Sequence, residues 1–142
     1  MTTACLLDKS AWEQIHGSER ARRRLADLAR THEIATCPVI AAELLYSARD
    51  HAELRDLRRR LEELLWLETT DDAQERALFV QQDLARQGQH RGIGMADLLV
   101  AATAEVHWAT VLHYDSDFER IAEITGQSHA WIVPRGEGHQ RD

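Results

Sequence analysis

One lysine, two prolines and two cysteines stand in a chain of 142 residues, and each scarcity closes off a class of protein. Cys5 and Cys37 lie inside apolar runs and far from any C-x-x-C spacing, which argues against a disulfide framework or a zinc knuckle and for two reduced, buried thiols. Two prolines and seven glycines are too few for a low-complexity or linker-rich chain. Positive charge is also short: 17 Lys and Arg face 24 Asp and Glu, a net charge of −7. That balance excludes a broad cationic coat for duplex nucleic acid, which is built from many phosphate contacts. It leaves room for an enzyme that holds a polyanion at one site through metal ions. Lys9 is the one lysine, and the other cations are arginines, which suit bidentate recognition of phosphate or carboxylate. No uninterrupted run approaches the ~20 apolar residues of a membrane helix. Residues Met1 to Leu7 lack the basic start and long apolar run of a signal peptide, so the expectation is a cytoplasmic protein without a membrane span.

What is present is a composition of 44% apolar and 29% charged residues, in a length that suits one domain. The apolar run Ala4 to Leu7 predicts a buried strand with a turn at Asp8, and the spacing of Ala21, Leu25 and Leu28 predicts a helix over Ser18 to Arg30. A second strand is expected at Glu33 to Cys37. Pro38 then opens a helix continuing to Ala48, a charged helix follows at His51 to Leu64, and Leu65 to Leu67 reads as an edge strand. Thr70 is an N-cap signal for a helix to about Gln87, with Ala73, Ala77, Val80 and Leu84 on one side. Met95 to Ala102 is apolar nearly all round, as a central helix would be. Strands at Thr110 to His113 and Ala130 to Val133 flank a helix at Phe118 to Ile124, and a polar, frayed tail is expected from Arg135 to Asp142. Strands alternating with helices predict an α/β fold: a central, mostly parallel β-sheet flanked by helices on both faces.

Four acids fall at informative places in this pattern. Asp8 ends the first strand and Asp115 follows the fourth, so both belong at the carboxyl edge of the sheet, where α/β folds gather ligands. Glu43 projects from an apolar helical stretch, and Asp97 lies in the first turn of the most apolar helix. Singly, Asp8 and Asp115 also fit turn residues, and Asp97 fits a carboxylate placed on a helix dipole. Jointly they would repel one another unless a cation neutralised them. Oxygen-only ligation points to Mg²⁺ or Mn²⁺, and such ions serve phosphodiester hydrolysis.

The stretches Asp8-Lys9-Ser10-Ala11, Ala41-Ala42-Glu43-Leu44-Leu45, Met95-Ala96-Asp97-Leu98-Leu99 and His113-Tyr114-Asp115-Ser116-Asp117-Phe118 together resemble the four ordered acidic motifs of PIN-domain ribonucleases. The likeness is greatest to the VapC-type toxins of type II toxin–antitoxin modules, and it runs from Ala4 to Val133. The resemblance implies a single PIN-like domain at residues 1–134 with a tail at 135–142. It implies Asp8, Glu43, Asp97 and Asp115 as catalytic, metal-binding acids, with Asp117 a fifth and Asp115 favoured as the nearer to its strand. Ser10 matches the hydroxyl residue that hydrogen-bonds within the acidic cluster, whereas Lys9 replaces a common Thr. The resemblance further implies a Mg²⁺- or Mn²⁺-dependent endoribonuclease acting on tRNA or rRNA and leaving 5′-phosphate and 3′-hydroxyl ends. It also implies a homodimer and a VapB-like antitoxin whose C-terminal segment packs in a groove and blocks the site. An RNA-processing nuclease without a toxin role, and a non-catalytic PIN-like interaction module, are the other readings. A HAD-like phosphatase would need a second Asp where Ser10 stands, and a response-regulator receiver would need a late lysine that the chain lacks.

Outside these motifs, the arginine runs at 20–24 and 55–60 are interleaved with acids and read as solvated helix faces, with pairs such as Glu19 with Arg23 or Arg59 with Glu62 and Glu63. Arg91, in the Gly-flanked loop before Asp97, is the candidate RNA contact. His113 reads as a structural hydrogen-bonding group, and Trp12, Trp66, Trp108 and Trp131 as core or dimer-contact residues.

Overall fold

The computed structural model describes residues 3–139. Among them, five strands, β1 (Thr3–Leu7), β2 (His32–Thr36), β3 (Leu65–Trp66), β4 (Thr110–His113) and β5 (His129–Trp131), form one sheet of order β3-β2-β1-β4-β5 with every pair parallel. The alternation of side chains along each strand divides the core between the two faces. Leu6, Ala35 and Val111 face a large cluster built with Ile40, Leu61, Leu84 and Leu98. Leu7 and Leu112 face a smaller cluster with Ala11, Ala21 and Ile132. Helices α1 (Lys9–Gly17) and α2 (Glu19–Ala29) supply that smaller layer. The remaining helices are α3 (Pro38–Tyr46), α4 (His51–Glu62), α5 (Asp71–Arg86), α6 (Met95–Val106) and α7 (Asp117–Thr125), and all of them contribute to the larger cluster.

Local signals explain most boundaries. Ser18 caps α2 by accepting from Ala21 N at 3.1 Å, and Thr70 caps α5 by accepting from Ala73 N at 3.1 Å. Pro38 occupies the first turn of α3, where its missing N–H leaves no bond unmade. The stripe Ala73, Ala77, Val80 and Leu84 is buried, and α6 buries Leu98, Val100 and the run Ala101 to Ala104. Gly126, with φ of 70°, supplies the left-handed residue that ends α7.

Several features depart from the sequence expectations. The turn expected after Asp8 is instead the start of α1, which leaves β1 without a loop; the segment buries just Ala11 and the polar Gln14, so its periodicity is faint. β5 ends at Trp131, although Ile132 and Val133 are buried beyond it. Trp108 is 88% exposed and holds a left-handed φ of 57°, which removes the core from its two expected places and leaves the dimer contact. The tail is tethered as far as it is described: Tyr114 Oη accepts from Gly136 N and Gly138 N at 3.1 and 2.8 Å, and Gln14 exchanges two hydrogen bonds with the backbone of His139. Residues 140–142 lie outside the described residues. The Glu19–Arg23 pair forms at 3.0 Å, whereas Glu62 pairs with Arg58 rather than Arg59.

Candidate metal centre

β1 and β4 are neighbours, and each hands its chain directly to an acid at the carboxyl edge of the sheet. Asp8 is almost fully buried and serves as the N-cap of α1, its carboxylate accepting from Ser10 N at 3.0 Å and from Ser10 Oγ at 2.7 Å. The same Ser10 Oγ accepts from Tyr114 N at 2.8 Å. One hydroxyl therefore ties the end of β1 to the residue that precedes Asp115. Asp115 Oδ1 accepts from Asp117 N at 2.9 Å, which closes a tight turn and directs both carboxylates to the same side. Asp97 reaches them from the first turn of α6, whose N-cap, Gly94, provides no side-chain bond.

Carboxylate oxygens of Asp97, Asp115 and Asp117 lie within 4.8 Å of one another. Asp8 is not in that tight trio but acts on it through charge. Burial, followed by the charges of Asp8, Asp115 and Asp117 and a hydrogen-bonding contact with Asp117, pushes the Asp97 carboxyl up to about 8. Burial also raises Asp8, against the opposing bonds from Ser10, and it raises Asp115 against the bond from Asp117 N–H. Glu43, half-buried on α3, stands outside the trio; burial and the charge of Asp8 raise it too. Four acids around this sheet edge, Asp8, Glu43, Asp97 and Asp115, thus have their proton affinities raised, and Asp117 joins two of them in the trio. A set of hard carboxylate oxygens that repel one another when ionised fits Mg²⁺ or Mn²⁺, because a divalent cation removes that repulsion.

Arg120 is the cation nearest this trio among the described ion pairs. Its Nη1 lies 3.3 Å from Asp117 Oδ1, and its guanidinium crosses Gly92, where a Cβ would come within 2.9 Å of Nη2. Arg120 has no place in the sequence expectations, although a spacing of three from Asp117 on a helix is the signal for such a pair. Arg91, the residue singled out there, is exposed in the same loop and has no ion-pair or hydrogen-bond partner among the described residues. His113 is fully buried: its Nδ1 accepts from Asp115 N at 3.1 Å, so its Nε2–H donates to His129 Nδ1 at 2.9 Å. Burial, and secondarily the charge of His129, lowers its pKa to about 3. His113 is therefore a neutral brace under Asp115, as expected of a structural histidine.

A groove of about 640 Å³ runs between α1, α3 and α4, with Trp12, His16, Leu44 and Leu57 among its lining residues and Lys9 and Arg60 as its cations. It opens beside the acids, since Lys9 and Glu13 in its wall are charged neighbours of Glu43.

Residues 5–124 match the family model described as the PIN domain. The chain is similar to Ribonuclease VapC21 of Mycobacterium tuberculosis strain H37Rv, 42% identical over 139 residues that cover 96% of this chain and 99% of that protein. It is 39% identical to Ribonuclease VapC18 of the same strain over 132 residues, covering 92% and 96% respectively. Its fold is that of a chain in the VapBC-1 structure from nontypeable Haemophilus influenzae, with a TM-score of 0.77 at 17% identity over 93% of this chain and 100% of that one. A chain of Rickettsia felis VapBC2, bound to a promoter DNA fragment, aligns with a TM-score of 0.76 at 18% identity, covering 91% and 98%.

Proposed function

The chain belongs to the PIN-domain family, and from that premise we propose that it is a Mg²⁺- or Mn²⁺-dependent endoribonuclease, the toxin of a toxin–antitoxin pair neutralised by a VapB-like antitoxin. The observation that carries the chemistry is the convergence of Asp97, Asp115 and Asp117 within 4.8 Å, with Asp8 coupled by charge to Asp97 and Glu43 coupled in turn to Asp8. The ribonuclease and toxin parts rest on relatives with the VapC name aligned over nearly their whole length.

Asp8, Asp97, Asp115 and Asp117 are the residues that would hold the ion, with Glu43 at the rim. When bound, a divalent ion supplies a lowered pKa for water and offsets the charge that develops on the phosphodiester. The protein's part is orientation. Ser10 fixes the direction of the Asp8 carboxylate, Asp117 N–H fixes that of Asp115, and neutral His113 holds the Asp115 backbone by accepting its N–H. Burial of Asp8 and Asp97 keeps bulk water from screening these charges. The expected substrates are tRNA or rRNA, cut to 5′-phosphate and 3′-hydroxyl ends, and the cytoplasm is where such substrates are met. Residues 1–134 would form the nuclease unit and 135–142 its tail.

The groove beside Glu43, with Trp12, Leu44 and Leu57 among its lining residues and both cations (Lys9, Arg60) and acids (Glu13, Glu53, Asp56) in its wall, is the place proposed for the antitoxin segment. A second copy of the chain is the expected partner for the exposed apolar residues Leu78 and Phe79 on α5 and Met95 on α6.

Purified protein freed of antitoxin should cut a restricted set of transcripts in total RNA when Mg²⁺ or Mn²⁺ is added, and sequencing the new 5′ ends reads activity, end chemistry and target together. Asp97→Asn should lower the rate by roughly 100-fold or more while the fold persists. Undiminished cleavage in EDTA, or full activity in the Asn variant, sinks the metal-carboxylate mechanism.

A further inference from the structure

An acidic site that must receive a polyanion needs a cation at its edge as well as ions at its centre. Two arginines come into question: Arg91, exposed in the loop before α6 and without a partner among the described residues, and Arg120, which reaches Asp117 from α7. Two observations set Arg120 apart. Among the described residues its guanidinium makes one hydrogen bond, Nη1 to Asp117 Oδ1, which leaves Nε and Nη2 without a protein acceptor although the side chain is only 33% exposed. The tip also lies against the backbone at Gly92, a position where any side chain would have to displace it. Gly92 is not in the left-handed region, so a side chain there would act by pushing the Arg120 tip aside rather than by straining the backbone. A planar fork held in place with its free N–H groups beside three carboxylates is suited to bridge to a phosphate oxygen, which a flexible ammonium would do less specifically.

We propose that Arg120 is a substrate-contacting residue of the site, its guanidinium laid over Gly92 and anchored by Asp117 so that the remaining N–H groups bind a backbone phosphate of the incoming RNA. The assignment rests on the nuclease reading and deepens it. It distinguishes the two arginines by how they are held: Arg120 is anchored by Asp117, whereas Arg91 is exposed in its loop.

The test uses the full chain, with labelled total tRNA as the probe, and compares wild type with Arg120→Ala, Arg120→Lys and Gly92→Ala. Thermal unfolding checks that each variant is folded. Arg120→Ala should raise KM about tenfold with kcat changed far less, and should weaken tRNA binding to the cleavage-silent Asp97→Asn protein by a similar factor. Arg120→Lys should recover part of the loss, because it restores the charge without the fork. Gly92→Ala should raise KM in wild type but add nothing in the Arg120→Ala background, since both act through one contact. Mn²⁺ binding to RNA-free protein, read from the free-ion electron paramagnetic resonance signal, should not fall in Arg120→Ala. An unchanged KM, additive effects of the two substitutions, or a parallel loss of Mn²⁺ binding overturns the assignment; the last outcome makes Arg120 a holder of Asp117 instead. A wild type that cuts no RNA removes the nuclease reading, and equal tRNA affinity in the two silent proteins then removes the role of Arg120 as well.

Discussion

Ser10 shows how much one side chain can settle at this site. Its Oγ donates to Asp8 and accepts from Tyr114 N, so Ser10→Ala leaves a backbone N–H without its acceptor and a carboxylate without its guide. The expected loss is about 1–3 kcal/mol of unfolding free energy, measured by urea denaturation without metal. At this scale the acids were legible in the sequence, because a carboxylate in an apolar run or at a strand end is costly without a reason. Asp117 joins Asp97 as Asp115 does, since a two-residue turn brings both oxygens to one side. Arg120 was not legible as part of the site. Its place depends on the absence of a side chain at Gly92, 28 positions away in the chain, and no local pattern records that relation.

Helix α5 illustrates what holds the site at the level of elements. It packs its buried stripe against α6, the helix that carries Asp97, and Thr70 satisfies its first turn. Thr70→Ala should therefore cost about 1 kcal/mol of stability, read as a lower denaturation midpoint with an unchanged slope, while cleavage at saturating metal persists. Helix α5, with its strong apolar period, was readable to within a residue, and α6 was readable at its start, although it runs on from Ala102 to Val106. α1 was not, because its buried positions are a small Ala11 and a polar Gln14 whose amide is matched to the backbone of His139, 125 residues later. The strands at the sheet centre were readable as apolar runs, but their order and the handover of β1 straight into α1 follow from long-range pairing.

The acids also govern how the whole molecule responds to pH. Asp97, raised to about 8, binds a proton more tightly folded than unfolded, so its contribution to stability is present at low pH and is lost as pH rises from its ordinary 3.8 through 8. Asp8, Glu43 and Asp115 are raised as well and act in the same sense. His113, lowered from 6.5 to about 3, acts oppositely, its contribution being lost as pH falls through that interval. Above about pH 7 the histidine is neutral in both states and Asp97 governs the slope, joined toward pH 9 by the buried thiols Cys5 and Cys37, which are raised by burial and act in the same sense. The Tm in EDTA should accordingly fall as pH rises from about 7 to 9, and saturating Mg²⁺ should flatten that slope; a flat profile without metal contradicts the repulsion argument. The strand order has a consequence of another kind, in time rather than in energy. β1 is the first strand made and sits at the centre, but its neighbour β4 begins at Thr110, and the last acid of the trio is Asp117. At ribosomal speeds, on the order of ten seconds separate Asp8 from Asp117. A nascent chain thus carries no complete acidic site until more than four-fifths of it has been made, so a truncated translation product ending before Asp115 has no means of attacking the RNA around it.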